Sequence, residues 1–465
     1  MLRAAGMFFA DRLRRWIPDP FVFAVGLTLL IGVLAVLATP ASGLDTLQAW
    51  YQGFFGLLEF GMQMVLILTT AFAIALSPVI ARFVDWVANR INTPTRVYLV
   101  VVALGGVFSL VSWGWMVLTA VLARELAHRV KGIDYAYLVA CVYFSGQTWV
   151  GGLSSSIPLL LNTPENFLIE RGFLDSTISV DFTLGSNLNL IYLAVFFTLF
   201  PLLIVLLAPR AEHSRGIEIF SIADEPGQGL SVGEEAAPPP KERRSPSDRL
   251  NHSRLLSLTI AVAGLIYISG YFLTRGLDLN FNIMIFVFIM AGLLVHRTPM
   301  GYVIAMKRAC SNVSGIIFQY PFYAGIMGMM EFTGLGEAIA SGMAGGASIM
   351  TLPLIAQVSG AVVNFAIPSA GGEWAVIGPT FVEAARALSV DMSATEFNAF
   401  VSRIALAVAY GETSTNLIQP FFLLIILPVM TAGVNIQARD FMGYLVIPFL
   451  FTYGVTAFLV TFAPV

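Results

Sequence analysis

This sequence predicts an all-α polytopic membrane protein made of two inverted-topology repeats, each holding a re-entrant hairpin and a broken transmembrane helix. Three observations carry the prediction. Hydrophobic residues form 57% of the 465-residue chain and charged residues only 11%, with a mean hydropathy of +0.81. Two distant stretches, 144–162 (FSGQTWVGGLSSSIPLLLN) and 409–427 (AYGETSTNLIQPFFLLIIL), interrupt apolar runs in the same way. The basic residues also fall on alternate sides of successive apolar runs, which orients each crossing.

The composition excludes an ordinary soluble protein. Runs 20–39, 187–208, 255–273 and 442–462 each offer about 20 apolar residues, enough for a helix to cross the hydrocarbon core. They lack period-2 alternation, so helices rather than a barrel satisfy the backbone in lipid. The formal charge of −3 says little, because in a membrane the placement of charge matters more than its sum. Cys141 and Cys310 stand alone, so neither a disulfide framework nor a metal motif follows. The first run follows Arg12, Arg14 and Arg15 but is longer than a secretion-signal core, and it reads as the first transmembrane helix. Residues 1–16, within a cytoplasmic segment 1–19, read as a short amphipathic helix on the membrane surface.

The first membrane repeat spans 20–208. Its opening helix leaves the cytoplasm, and the run 49–77 returns to Arg82, Arg90 and Arg96. Residues 97–123 have basic residues at both ends, so a crossing would strand one cluster outside. A hairpin entering from the cytoplasm, with Ser112-Trp113-Gly114-Trp115 as its tip and arms shorter than the bilayer, resolves the conflict. Residues 133–162 then cross outward through a break at Gly146–Ser156, and 163–186, rich in acids, lies outside. Residues 209–253, with Pro238-Pro239-Pro240 and Lys241-Glu242-Arg243-Arg244, read as a mobile cytoplasmic linker.

The second repeat spans 254–465, with a hairpin at about 351–387 entering from outside and a broken helix at about 398–430, interrupted at Gly411–Asn416. Of the 25 Lys and Arg, this layout leaves only Arg171, Arg275, Arg386 and Arg403 away from the cytoplasmic face. Phe60–Gln63 aligns with Ile316–Gln319, the tip at Trp113 with Pro368–Gly372, and Gly146-Gln147-Thr148 with Gly411-Glu412-Thr413. The order is the same and the derived orientation opposite. Carriers with inverted repeats bind near the midplane at such breaks.

The chemistry of a break is direct. Helix-terminal N–H groups attract a carboxylate, and unwound carbonyls hold a cation. Neutral ligands come from Ser112, Trp113, Gly114, Thr148, Ser154, Ser155 and Ser156 in the first half, and from Ser369, Gly371, Gly372, Thr413, Ser414, Thr415 and Asn416 in the second. Each hydroxyl has a competing structural reading, since membrane Ser and Thr often bond back to the preceding turn and Gly often serves close packing. Trp113, Trp115, Trp149 and Trp374 all lie beside a tip or break, either as interfacial anchors or as lining for a short apolar tail. A buried charge needs a partner or a duty, so Glu373 and Glu412 are the candidate ion-coupling residues. The four His residues fall in or beside cytoplasmic loops.

At these same residues the chain resembles the bacterial short-chain fatty acid transporter family. The resemblance starts at Ile17-Pro18-Asp19-Pro20-Phe21 and runs nearly to the C-terminus. It rests on Ser112-Trp113-Gly114, on Gly151-Gly152-Leu153-Ser154 through Ser156-Ile157-Pro158-Leu159, and on Pro368 through Val376. Ala409-Tyr410-Gly411 and Asn416-Leu417-Ile418-Gln419-Pro420 complete it. The resemblance implies a secondary carrier for a small monocarboxylate such as butyrate or acetoacetate, driven by H⁺ or Na⁺ and moving as an elevator. It also implies a homodimer in the bacterial inner membrane, with a cytoplasmic N-terminus and no cofactor besides a coupling ion. Na⁺ at the hairpin tips and helix breaks stays open.

The chain departs from the pattern at two places: Glu373 stands where Gln is common, and Glu412-Thr413-Ser414 where Asp-Gln-Trp is common. Extra carboxylates beside an anion site repel the substrate unless a proton or cation joins them. A cation/proton antiporter, or a carrier of another small organic anion, therefore remains the alternative reading. A membrane enzyme has no embedded His, Cys–His pair or metal cluster to support it, and nothing points to nucleic acid. The expected partners are a small carboxylate and the lipid bilayer.

Overall fold

The computed structural model describes residues 20–464 apart from 57, 164–165, 171, 211–213, 221–230, 241, 243, 277–280, 312–313, 345, 366, 369 and 420–421. The expected surface helix at 1–16 and the candidate ligand Ser369 lie outside the described residues. Within them the chain is almost entirely helical, with no sheet. Four helices are long and apolar enough to cross a membrane, and a fifth span arises if one bent pair is counted together.

The first half runs α1 (Pro20–Ala38), α2 (Gly43–Gly56), α3 (Leu58–Ala75), α4 (Pro78–Ala88), α5 (Pro94–Val111), α6 (Met116–Arg129), α7 (Tyr135–Ser145), α8 (Ser156–Leu161) and α9 (Asn187–Leu207). After the linker come α10 (Arg254–Arg275), α11 (Phe281–His296), α12 (Pro299–Ser311), α13 (Ser314–Phe332) and α14 (Leu335–Ala344). The chain closes with α15 (Leu352–Val363), α16 (Ala370–Leu388), α17 (Ala394–Asn416), α18 (Leu423–Met430) and α19 (Val446–Phe462). Local sequence sets many of these starts. Ser77, Asp134, Ser186, Ser253 and Ser393 each accept a first-turn N–H at a helix N-cap, which satisfies a donor that the helix leaves orphaned.

Helix α1 has its counterpart in α11, α2 in α12, and so on to α9 and α19, while α10 stands outside the series. The packing has the same reciprocity. Helix α1 packs on α13 and α11 on α3; α2 packs on α13 and α12 on α3; α6 packs on α18 and α16 on α8. These three contacts between the halves each recur with the halves exchanged.

Two groups of helices result. One gathers α1–α3 with α10–α13; the other gathers the hairpins, the broken helices, α9 and α19, with α4 and α14 between them. The first group is drawn together where Gly53 on α2 meets Gly328 on α13. A Cβ at Gly53 would come 2.5 Å from the Ala324 carbonyl oxygen, so backbone rests on backbone.

Several elements differ from the sequence expectation. The first arm of the first hairpin, α5, has 18 residues, about 27 Å at 1.5 Å per residue, and so nearly matches the hydrocarbon thickness. In the second half the helix does not break at Gly411. It continues to Asn416, and the chain leaves the helix over residues 417–419. Gly411 lies where α17 crosses α15, and a Cβ there would come 2.1 Å from the Gln357 carbonyl oxygen. It is a packing glycine, and the helix passes through it.

The linker, read as a mobile tether, is docked in both described segments that flank 221–230. Ile217 and Val232 are buried. The short turns Ile217–Phe220 and Val232–Glu235 carry few apolar residues, too few to form a periodic pattern, which is why the sequence did not reveal them.

Candidate functional site

The candidate site is assembled from two hairpin tips and two helix breaks. At the first tip, α5 ends at Ser112 and the chain turns through a 3-10 segment, Trp113–Trp115, into α6. At the first break, α7 tightens into a 3-10 segment over Gly146–Gly151, and a turn closed by the Ser155 N–H on the Gly152 carbonyl leads into α8.

These two pieces are sewn together. The Trp113 N–H donates to Ser154 Oγ at 2.9 Å, the Leu153 N–H donates to the Leu110 carbonyl at 2.8 Å, and the Thr148 hydroxyl donates to the Gly106 carbonyl at 2.7 Å. A Cβ at Gly152 would come 2.2 Å from the Leu110 oxygen, so only glycine permits this contact. Thr148 and Ser154 therefore position the tip. Ser112 Oγ is buried with no hydrogen-bond partner among the described residues. Ser155 and Ser156 are also buried.

The second tip meets the first break directly, since a Cβ at Gly371 would lie 3.4 Å from Ser156 Cβ. Gly372 is buried just beyond it in the first turn of α16. Gly114 turns the other way and rests on Ile67 and Ala71 of α3. It belongs to the contact between the two groups of helices and not to the ring of candidate ligands.

In the second half the hydroxyls divide. Ser414 donates to the Tyr410 carbonyl at 2.7 Å and Thr415 to the Gly411 carbonyl at 2.9 Å. For these two the structural reading holds. Thr413 Oγ1 is buried without a hydrogen-bond partner among the described residues.

Asn416 binds neighbours on both sides. Its Nδ2 donates to Glu412 Oε1 at 2.9 Å, and its Oδ1 accepts from Asn364 Nδ2 at 2.8 Å. Asn364 Nδ2 also reaches the Glu412 carbonyl at 3.1 Å. Nothing in the sequence marked Asn364 except its place just past the end of α15, four residues after Gly360. Glu373 enters the same notch from α16. A Cβ at Gly360 would come 2.9 Å from Glu373 Oε1 and 2.7 Å from the Val408 carbonyl, one turn before Glu412. Both acids are fully buried. Glu373 Oε1 and Oε2, Glu412 Oε2 and Asn364 Oδ1 have no hydrogen-bond partner among the described residues.

This is a cluster of hard oxygen acceptors, with no ion pair to it among the described residues. Such a cluster is costly to bury unless a proton or a cation completes it. Alkali cations and protons suit oxygen donors of this kind.

The four tryptophans also divide. Trp113 and Trp149 both pack on Phe422, with ring centroids at 6.2 and 6.4 Å. They bring the first tip, the first break and the second break to one aromatic wall. Trp115 instead stacks on Phe288 of α11 at 5.7 Å, and Trp374 is buried within the second hairpin. Behind the wall, Asn189 of α9 donates to the Gly151 carbonyl and accepts from Tyr410, and Tyr192 donates to the Gln147 carbonyl. Helix α9 thereby fixes the unwound backbone of the first break. Asn189, Tyr192 and Phe422 escaped the sequence reading because each lies in an ordinary apolar run.

The sequence profile of the short chain fatty acid transporter family matches residues 1–463. The chain belongs to that family. It is 36% identical over 453 residues to an Escherichia coli (strain K12) protein named for short-chain fatty acid transport, with 97% of this chain and 98% of that protein covered. A protein of the same designation from Haemophilus influenzae is 33% identical over 457 residues, covering 97% and 98%. Among solved structures, the Alcanivorax borkumensis YdaH transporter aligns with 96% of this chain and 98% of its own, at 16% identity and a TM-score of 0.50. That likeness concerns the fold alone.

A short chain fatty acid transporter family member with this many apolar helices is a multi-pass membrane protein, and the family is one of transporters, not enzymes.

Proposed function

We propose that this chain is a secondary carrier that moves a short-chain monocarboxylate, such as butyrate or acetoacetate, across the bacterial inner membrane together with H⁺ or Na⁺. The observation that carries the proposal is the buried acid–amide cluster of Glu373, Glu412, Asn416 and Asn364 beside the second tip. An anionic cargo would be repelled by two buried carboxylates, so it enters only when a cation or proton accompanies it. That requirement is coupling. The first turn of α16 at Gly371, with the unpartnered hydroxyls of Ser112 and Thr413, suits the cargo carboxylate. The wall of Trp113, Trp149 and Phe422 suits a short apolar tail.

The reciprocal packing of α1–α9 and α11–α19 supports an inverted repeat, with the hairpins re-entering the membrane from opposite sides and the N-terminus cytoplasmic. The division into two groups supports an elevator, in which the hairpin group slides along the other, and a homodimer formed through the latter.

Purified protein in liposomes tests the reading. Labelled butyrate or acetoacetate is expected to accumulate under an imposed proton or sodium gradient. Cation exchange with no carboxylate requirement would overturn the proposal in favour of an antiporter.

Tail recognition gives a second expected result. Phe422→Ala opens the wall, and one extra methylene in such a pocket is worth about a 10-fold change in preference. The ratio of hexanoate to butyrate uptake should rise by at least that factor. An unchanged ratio would make the ring a packing residue only.

A further inference from the structure

The linker between the halves is anchored to both groups of helices, and the two anchors differ in strength. The first anchor is on the hairpin group. The Tyr135 N–H donates to the Arg215 carbonyl at 2.8 Å, and the Arg215 N–H donates back to Asp134 Oδ2 at 3.1 Å. The Asn435 N–H donates to the Phe220 carbonyl at 2.7 Å. The Asp134 side chain is 1% exposed, Ile217 is buried, and the Phe220 ring lies 6.3 Å from the Tyr135 ring. Tyr135 in turn donates to the Met430 carbonyl at the end of α18. Buried, mutually satisfied backbone groups of this kind are expensive to separate.

The second anchor is on the other group. There the turn Val232–Glu235 packs on α12 with Val232 buried, and Glu235 pairs with Arg308. The two side chains are 44% and 34% exposed. An ion pair that open to water is weak, and a four-residue turn, even with the capping box of Ser231 and Glu234, is not stable by itself.

We infer that Val232–Glu235 is a latch: it docks the linker on α12 in this conformer and releases when the hairpin group slides, while the anchor at 215–220 travels with that group. The linker is thus a strap that biases the carrier toward the state seen here. A strap bound to only one group could not bias their relative position, since a contact shifts an equilibrium only if it differs between the two states.

The inference goes beyond the cargo assignment, and the first test needs no cargo. Hydrogen exchange on the purified full chain reads the amides of residues 234–236, which are hydrogen-bonded only while the turn is formed. Arg308→Glu should speed their exchange about tenfold, leave Arg215 and Asn435 protected, and be reversed by adding Glu235→Arg. Exchange at 234–236 that is unaffected by Arg308→Glu overturns the latch.

The second test is uptake in liposomes. Arg308→Glu should change the initial rate at least threefold, and the double charge reversal should return it to within twofold of the unsubstituted chain. Rescue by reversal distinguishes a pairwise contact from misfolding. Equal rates in all three proteins make the linker a passive tether. Failure of the unsubstituted protein to accumulate butyrate counts against the cargo reading alone, because the exchange result stands without it.

Discussion

Replacing Glu412 by glutamine is expected to abolish concentrative uptake while leaving the fold intact. The Glu412 side chain is fully buried, and its Oε1 accepts from Asn416 Nδ2 at 2.9 Å. Glutamine keeps the volume and the acceptor, so the link from Asn416 to Asn364 survives. What it removes is the negative charge that a proton or cation needs. A charge-assisted ligand contributes about 1.5–3 kcal/mol, so the apparent affinity for the coupling ion should fall by roughly 10- to 150-fold.

The measurement is a pair of assays on the same protein. Accumulation of labelled butyrate against a gradient should be lost, while counterflow exchange, which needs no net ion movement, should persist. Glu373→Gln should alter the dependence on proton or sodium gradient in the same direction, because its two oxygens face the same notch with no hydrogen-bond partner among the described residues. Concentrative uptake at the unsubstituted level in Glu412→Gln would show that this acid does not couple.

The second large effect concerns stability. Gly411→Ala should destabilise the protein by about 1–3 kcal/mol or more, the cost of overpacking a tight contact. The added Cβ would stand 2.1 Å from the Gln357 carbonyl and 2.9 Å from the Ala361 nitrogen. These are backbone atoms and cannot swing aside as a side chain would. The sign is informative, because in an open helix the same substitution gains roughly 0.5–1 kcal/mol. Gly454 on α19, with nothing within 4 Å of its added Cβ, provides that comparison. Thermal unfolding in detergent should show Gly411→Ala melting well below, and Gly454→Ala at or above, the unsubstituted protein. Equal melting of the two would mean that α15 and α17 can separate without cost, and the acid–amide notch between them would lose its rigid frame.

Much of this protein was legible in the residue order. Continuous apolar runs in a chain with 11% charged residues leave the backbone no choice but helix, because lipid offers no other hydrogen-bond partner. The arginines predict an orientation for those runs, and Trp113 and Gly371 marked the turns between α5 and α6 and between α15 and α16. Buried acids are rare enough that Glu373 and Glu412 stood out by charge alone. The family followed from the motifs at the same positions.

The rest depended on which surfaces meet. Two glycines of the same appearance have different duties: Gly152 lets the turn of the first break sit on Leu110, whereas Gly411 lets one helix cross another without breaking. Ser414 and Thr415 look like ligands in a list of residues, but their hydroxyls are spent on the preceding turn. Asn364 looks like nothing in particular and yet bridges Glu412 and Asn416. Phe422 became part of an aromatic wall only because the first tip and the first break converge on it.

By itself the sequence determined the helical class, the apolar runs, the interruption at Gly146 and the acids that a membrane interior makes conspicuous. These are properties of each segment against its solvent, so local composition decides them. Only the tertiary structure decided which hydroxyls are free, where the second helix breaks, which amides complete the acid cluster and that the linker is strapped down. Those depend on distances between segments far apart in the chain, and no residue order specifies a distance until packing does.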